Sequence, residues 1–222
     1  MSVLVIDVET IGARRPEHEA AIAEMAEARH VDPEAFAALC PPLARVVCVG
    51  MKAIDSGQER VYFDGSLFGG INGPMPGGAG HTALDGEAEL LAAVNKIVMA
   101  YSRLVTFNGR VFDLPVLIHR MVINGVTPST KLLNAAREYR YKPNIHIDLR
   151  DAMSFFGAAQ IGPLRAVALG YGLVDPKANG NGKDVIRLVE AGDHEALCRY
   201  CAGDVRVEAC LYKRWADAAG IA

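Results

Sequence analysis

Residues 3–8, VLVIDV, are β-branched and apolar on both faces, the pattern of a central strand buried on two sides. An Ala- and Glu-rich stretch over 14–39 has helical character, and Pro41-Pro42 end it. Residues 45–54 and 59–63 read as the second and third strands. Gly65 to Gly80 is glycine-rich and reads as a loop. An amphipathic helix follows over 86–101, then a strand over 103–107 and an Asn-Gly-Arg turn. Asp113 opens a helix through about Ile123, and 145–149 forms a short strand. Helices are expected over 149–156, 163–170, 183–190 and 193–217. A three-strand meander followed by alternating helix and strand implies an α/β fold, a mixed sheet flanked by helices. Neither an internal repeat nor a linker divides the chain, so residues 1–222 are expected to form one domain.

Composition narrows the function classes. A chain of 222 residues buries about 70% of the surface its unfolded form exposes, so it needs no disulfide or structural zinc. The formal net charge of −3 argues against coating duplex DNA, which calls for a basic face. Gripping a strand end is compatible with it, and a metal site built from four carboxylates would supply much of the acidity. Five cysteines without a disulfide rhythm point to a reducing cytoplasm. No apolar run is long enough to span a membrane. MSVLVIDVET lacks the charged n-region and cleavage site of a signal peptide.

Asp7 and Glu9 lie two apart on an apolar strand and so point to one face. Paired carboxylates there repel and resist burial, and a divalent metal is the simplest way to offset that cost. The polar end of a strand entering solvent is the alternative. Asp113, two residues before a proline, sits where an N-cap belongs and also faces the crevice in which α/β sheets place ligands. In the last helix Leu197, Tyr200, Cys201, Asp204, Leu211 and Trp215 recur at helical spacing. Asp204 lies inside that apolar stripe and calls for a partner from the sheet, or for a backbone amide. Tyr200 is one turn before it.

In chain order these are a strand Asp-x-Glu-Thr, an Asn-(x)4-Asp after a later strand, and a Tyr-(x)3-Asp on the last helix. VIDVET, VTFNGRVFDLPVL and RYCAGDVRVEACLY resemble the three motifs of the DEDD 3′→5′ exonuclease superfamily. The tyrosine places the chain with the tyrosine subclass, DEDDy; the position five residues before Asp204, histidine in the other subclass, is Arg199. NGRVFDLPVL and YCAGDV are most similar to stand-alone predicted exonucleases related to the proofreading domain of family B DNA polymerases. The resemblance implies a ribonuclease-H-like fold and departs from the family in a helical insert at about 14–42.

It further implies hydrolysis of phosphodiester bonds at 3′ ends, with two ions of Mg²⁺ or Mn²⁺ held by oxygen ligands. Asp7 would bridge both ions, Glu9 and Asp204 would bind the first, and Asp113 would hold the second through water. Tyr200 would orient the attacking water, and Thr10 and Asn108 are candidate substrate contacts. Single-stranded or frayed DNA ends are the expected substrate; RNA, or an inactive module of the same fold that only binds, are the alternatives. Cys198-x-x-Cys201 has zinc spacing but lies inside a helix with no second pair, so zinc is not expected. REYRYK, 137–142, interleaves basic and aromatic side chains, as a solvated helix end or a strand-binding surface does. Asp148 in HIDL reads as structural.

Overall fold

A computed structural model describes residues 2–13, 16–74, 80–176 and 184–219. The chain opens with β1 (Val3–Gly12), α1 (Glu19–Glu27), α2 (Pro33–Leu39), β2 (Ala44–Ala53) and β3 (Glu59–Asp64). Next come β4 (Gly73–Pro74), β5 (His81–Leu84), α3 (Glu87–Val98), β6 (Arg103–Thr106), α4 (Asp113–Ile123) and α5 (Thr130–Arg137). The chain continues with β7 (His146–Asp148), α6 (Leu149–Met153), α7 (Leu164–Gly170), α8 (Asp184–Glu190) and α9 (His194–Ala219). The strands form a seven-stranded mixed sheet in the order β4-β5-β3-β2-β1-β6-β7. β1 pairs antiparallel with β2 and parallel with β6, so it sits where strand direction changes. This is an α/β, ribonuclease-H-like architecture, a mixed sheet flanked by helices.

Alternation along β1 assigns its two faces. Leu4, Ile6 and Val8 pack with Leu90, Leu91 and Val94 of α3 and Leu114 and Leu117 of α4. Val3 and Val5 pack with Val205, Leu211 and Tyr212 of α9, and Ile11 with Leu197 and Cys201 of the same helix. Between Val5 and Ile11, on the α9 side, stand Asp7 and Glu9. A buried ion pair ties the opposite layer together: Arg120 of α4 donates to Glu87 of α3, at 2.6 Å from Nη2 to Oε2, and Glu87 Oε1 also accepts the Val46 amide of β2.

Several elements differ from the sequence expectation. The 14–39 helical stretch is broken by a turn at 28–32, where Asp32 caps α2 by accepting the Ala35 amide at 3.0 Å and Pro33 takes the first helical position. Residues 14–15 and 75–79, which fell within that stretch and the expected loop, lie outside the described residues. The Gly-rich segment holds a 3-10 turn at Gly65–Phe68 and β4, and β5 follows at once. β5 has no counterpart in the sequence expectation, and of α5 only its end at Arg137 corresponds to an expected feature. β5 is a four-residue strand that pairs parallel to β3, and α5 has eight residues capped by Ser129. Elements so short depend on their neighbours for stability.

Candidate functional site

The site lies at the C-terminal half of β1. One carboxylate oxygen each from Asp7, Glu9 and Asp204 come within 4.8 Å of one another. An ion with metal–oxygen distances of about 2.0–2.6 Å spans opposite ligands about 4–5 Å apart, so this all-oxygen set suits a hard divalent cation. Asp204 is 3% exposed, while Asp7 and Glu9 are partly open. Asp7 and Glu9 share a face because the strand alternates; Asp204 reaches them because α9 lies across β1 and β2.

Asp113 stands beside this trio. The sequence reading made it an N-cap, but Phe112 is the cap residue and Asp113 is the first residue of α4. Its Oδ1 accepts the Val8 amide at 2.9 Å, a bond into the strand between Asp7 and Glu9. Its own backbone amide at the helix start and, more weakly, the Val8 amide both favour the ionised carboxyl. Burial pushes the Asp113 carboxyl well above the usual range, and the Asp7 charge adds to the rise.

Tyr200 is 2% exposed on the same face of α9 as Asp204. Burial raises its hydroxyl pKa, reinforced by the charges of Glu9, Asp204 and Asp7. The phenol is therefore neutral at physiological pH, able to donate and accept a hydrogen bond but unfit to act as a phenolate base. Thr10 Oγ1 donates to Ala38 O at 2.7 Å, tying the strand to α2. Asn108 has a left-handed φ of 71°, and its Oδ1 accepts from Arg150 Nη1 at 2.9 Å. The Asn108 and Arg110 amides both donate to Asp148, at 2.9 and 3.0 Å, so Asp148 clamps the loop that leads into Asp113. Phe107 and Phe112 pack against the core. Cys198 and Cys201 are buried within α9, and burial raises the Cys198 thiol.

Glu208 is absent from the sequence reading. It lies one turn beyond Asp204, is 1% exposed, and its carboxyl is pushed well above the usual range. Burial is the main cause, followed by the charges of Asp7, Asp113 and Asp204. Its Oε2 has no hydrogen-bond partner among the described residues. The available signal was its place in the stripe, four residues after Asp204.

Comparisons with known proteins point one way. The family described as "Predicted 3'-5' exonuclease related to the exonuclease domain of PolB" matches residues 78–221. DNA polymerase 1 of Aeropyrum pernix is 33% identical over 101 residues, covering 44% of this chain. The match takes in only 10% of that polymerase. The family B DNA polymerase of Pyrobaculum calidifontis superposes with a TM-score of 0.61 at 18% identity, over 96% of this chain and 24% of its own.

Proposed function

Because the chain belongs to the family of predicted 3′→5′ exonucleases related to the exonuclease domain of PolB, we propose that it is a metal-dependent exonuclease removing nucleotides from the 3′ ends of DNA. The observation that carries this reading is the convergence of Asp7, Glu9 and Asp204, with oxygens within 4.8 Å of one another, beside buried Asp113 and Tyr200. Residues 1–222 then act as one exonuclease domain, and the insert expected at about 14–42 meets the site strand through α2, where Glu34 accepts the Gly12 amide at 2.6 Å.

Asp7, Glu9 and Asp204 would hold one ion of Mg²⁺ or Mn²⁺, and Asp7 with Asp113 a second. Bound there, the ions would neutralise charge on the scissile phosphodiester and lower the pKa of an attacking water. Tyr200 would position that water through its neutral hydroxyl. Asn108, held through its amide on Asp148, and Thr10, held through its hydroxyl on Ala38 O, are the candidate substrate contacts.

Reaching the site requires a free strand end. Unstacking a paired terminal base costs a few kcal/mol, and a net charge of −3 offers little overall attraction for phosphates to offset it. The test uses a 5′-labelled DNA strand, free and annealed, with Mg²⁺ or Mn²⁺, and the matching RNA. A ladder shortening from the 3′ end, faster on the free strand than on the blunt duplex, is expected. Early release of the 5′ label, or preferential digestion of RNA, would overturn the assignment.

A further inference from the structure

The segment between α5 and β7 carries Tyr139, Arg140, Tyr141 and Lys142, and the turn after α6 carries Phe155 and Phe156. Three of these rings stand open to solvent: Tyr139 is 65% exposed, Tyr141 53% and Phe155 64%. Tyr139, Tyr141 and Phe156 form a connected cluster, with ring centroids 5.3 Å apart for Tyr139 and Tyr141 and 4.7 Å for Tyr141 and Phe156, while the Phe155 ring meets Trp215 edge-on. The Arg140 guanidinium lies 5.7 Å from the Tyr141 ring and 6.0 Å from Phe156. Phe155 and Phe156 hold left-handed backbone, φ 51° and 56°, which bulky residues rarely adopt. Strain of that kind persists where surrounding structure enforces it, and it collects at binding surfaces. Here the turn is enforced by the Phe156 amide on Asp151 O at 2.7 Å.

The same surface is bolted to the carboxylate site. Asp151 accepts from Arg140 and, at 3.1 Å, from Arg110 Nε. Arg110 Nη1 donates to Glu138 O at 3.1 Å, fixing the Tyr139–Tyr141 segment to the loop that ends in Asp113. A groove of about 440 Å³ is joined to this surface through Asp151, and is lined by Asn108, Arg150, Asp151, Ser154, Gln160 and Ile161. Its one carboxylate, Asp151, already faces two guanidinium groups, and Arg150 and Lys142 add exposed positive charge.

We propose that this groove and its rings carry the single strand of DNA leading to the carboxylates, with bases stacked on Tyr139, Tyr141 and Phe155. The inference deepens the exonuclease reading and rests on it for the polarity of the strand. Ring faces accept any base, and guanidinium and ammonium groups beside them meet the phosphates. Single-stranded DNA is chosen over RNA because both relatives reported above are DNA polymerases.

Trp215, the chain's one tryptophan, lies 6.1 Å from Phe155 and reports on this surface. The wild-type chain is titrated with dT12 without added divalent ion, following Trp215 fluorescence and the anisotropy of a labelled strand. Saturable quenching is expected. The Tyr139→Ala, Tyr141→Ala double variant should weaken binding about tenfold or more, as loss of base–ring stacking does. The corresponding double Tyr→Phe variant should bind as wild type, because stacking needs the ring and not the hydroxyl. Unchanged affinity in the alanine variant, silent Trp215 fluorescence at saturation, or tenfold tighter binding of rU12 would each overturn the proposal. Wild-type hydrolysis of dT12 with Mn²⁺ is read separately: its absence counts against the exonuclease reading, while the affinities decide the surface.

Discussion

At the residue scale, five acidic groups and one phenol crowd a small volume, and each has a separable consequence. Asp7→Asn or Asp204→Asn should abolish hydrolysis while leaving the fold intact. Removing one of several mutually repelling carboxylates relieves repulsion, so the melting temperature without metal should stay equal or rise. Calorimetry of the metal-free variants checks this, and full activity in either variant would refute the site. Tyr200→Phe should lower the turnover rate by about 10²–10⁴-fold, the usual worth of a positioning or acid–base group. Metal affinity, followed by Mn²⁺ titration, should hold. Loss of affinity as severe as in Asp204→Asn would make Tyr200 a structural residue.

At the element scale, the site depends on how closely α9 approaches the sheet. Gly50 of β2 is the register partner of Asp7. A Cβ at Gly50 would meet Cys201 Sγ and Val205 Cγ1 at 2.9 Å and the Cys201 carbonyl oxygen at 3.2 Å. The carbonyl belongs to the helix backbone, so α9 as a whole must shift, carrying Tyr200 and Asp204 with it. Gly50→Ala should therefore lose about 1–3 kcal/mol in urea unfolding, as overpacking does, and should weaken Mn²⁺ binding. Gly170→Ala is the control: nothing lies within 4 Å of its Cβ position, and its stability should hold or rise slightly. Equal behaviour of the two variants would show that close helix–sheet contact does not set the site.

At the scale of the whole molecule, buried titratable groups make stability depend on pH. Asp113, Asp148 and Glu208 all have raised carboxyl pKa values, burial being the main cause. Above the unfolded value near 4 the unfolded chain releases protons that the native state keeps, so metal-free stability falls as pH rises toward the native values. His146 opposes this on the acid side. Burial lowers it to about 3, so below pH 6.5 the unfolded chain takes up a proton that the native state refuses, and stability falls as pH drops. The metal-free protein should thus lose stability on going from mildly acid to alkaline buffer. Glu208→Gln should flatten that slope by up to about 1.4 kcal/mol per pH unit. Urea unfolding across pH, with and without the substitution, measures it; identical slopes would mean Glu208 is ionised at no cost. Among the described residues, no helix is long and apolar enough to cross a membrane.

Much of the architecture was written locally. The apolar run of β1, the helix beginning at Asp113 and the stripe of α9 are set by backbone periodicity, which acts over a few residues and so reads directly from the chain. The candidate acids were legible for the same reason: a carboxylate among apolar neighbours is visible without knowing what it faces. Other features belong only to the folded chain. β1 runs on to Gly12 because β2 pairs with it as far as Ala44, and the four residues of β5 become a strand only beside β3. The bond from the Val8 amide to Asp113 joins residues 105 apart, and the close contact of α9 with Gly50 appears only once the helix is laid on the sheet. Glu208 is an ordinary helical glutamate in sequence, and becomes a buried fifth carboxyl because α9 turns that face toward Asp7. Periodicity determines which face of an element is apolar; packing decides which elements meet and how near, and the chemistry of charged groups follows from those distances.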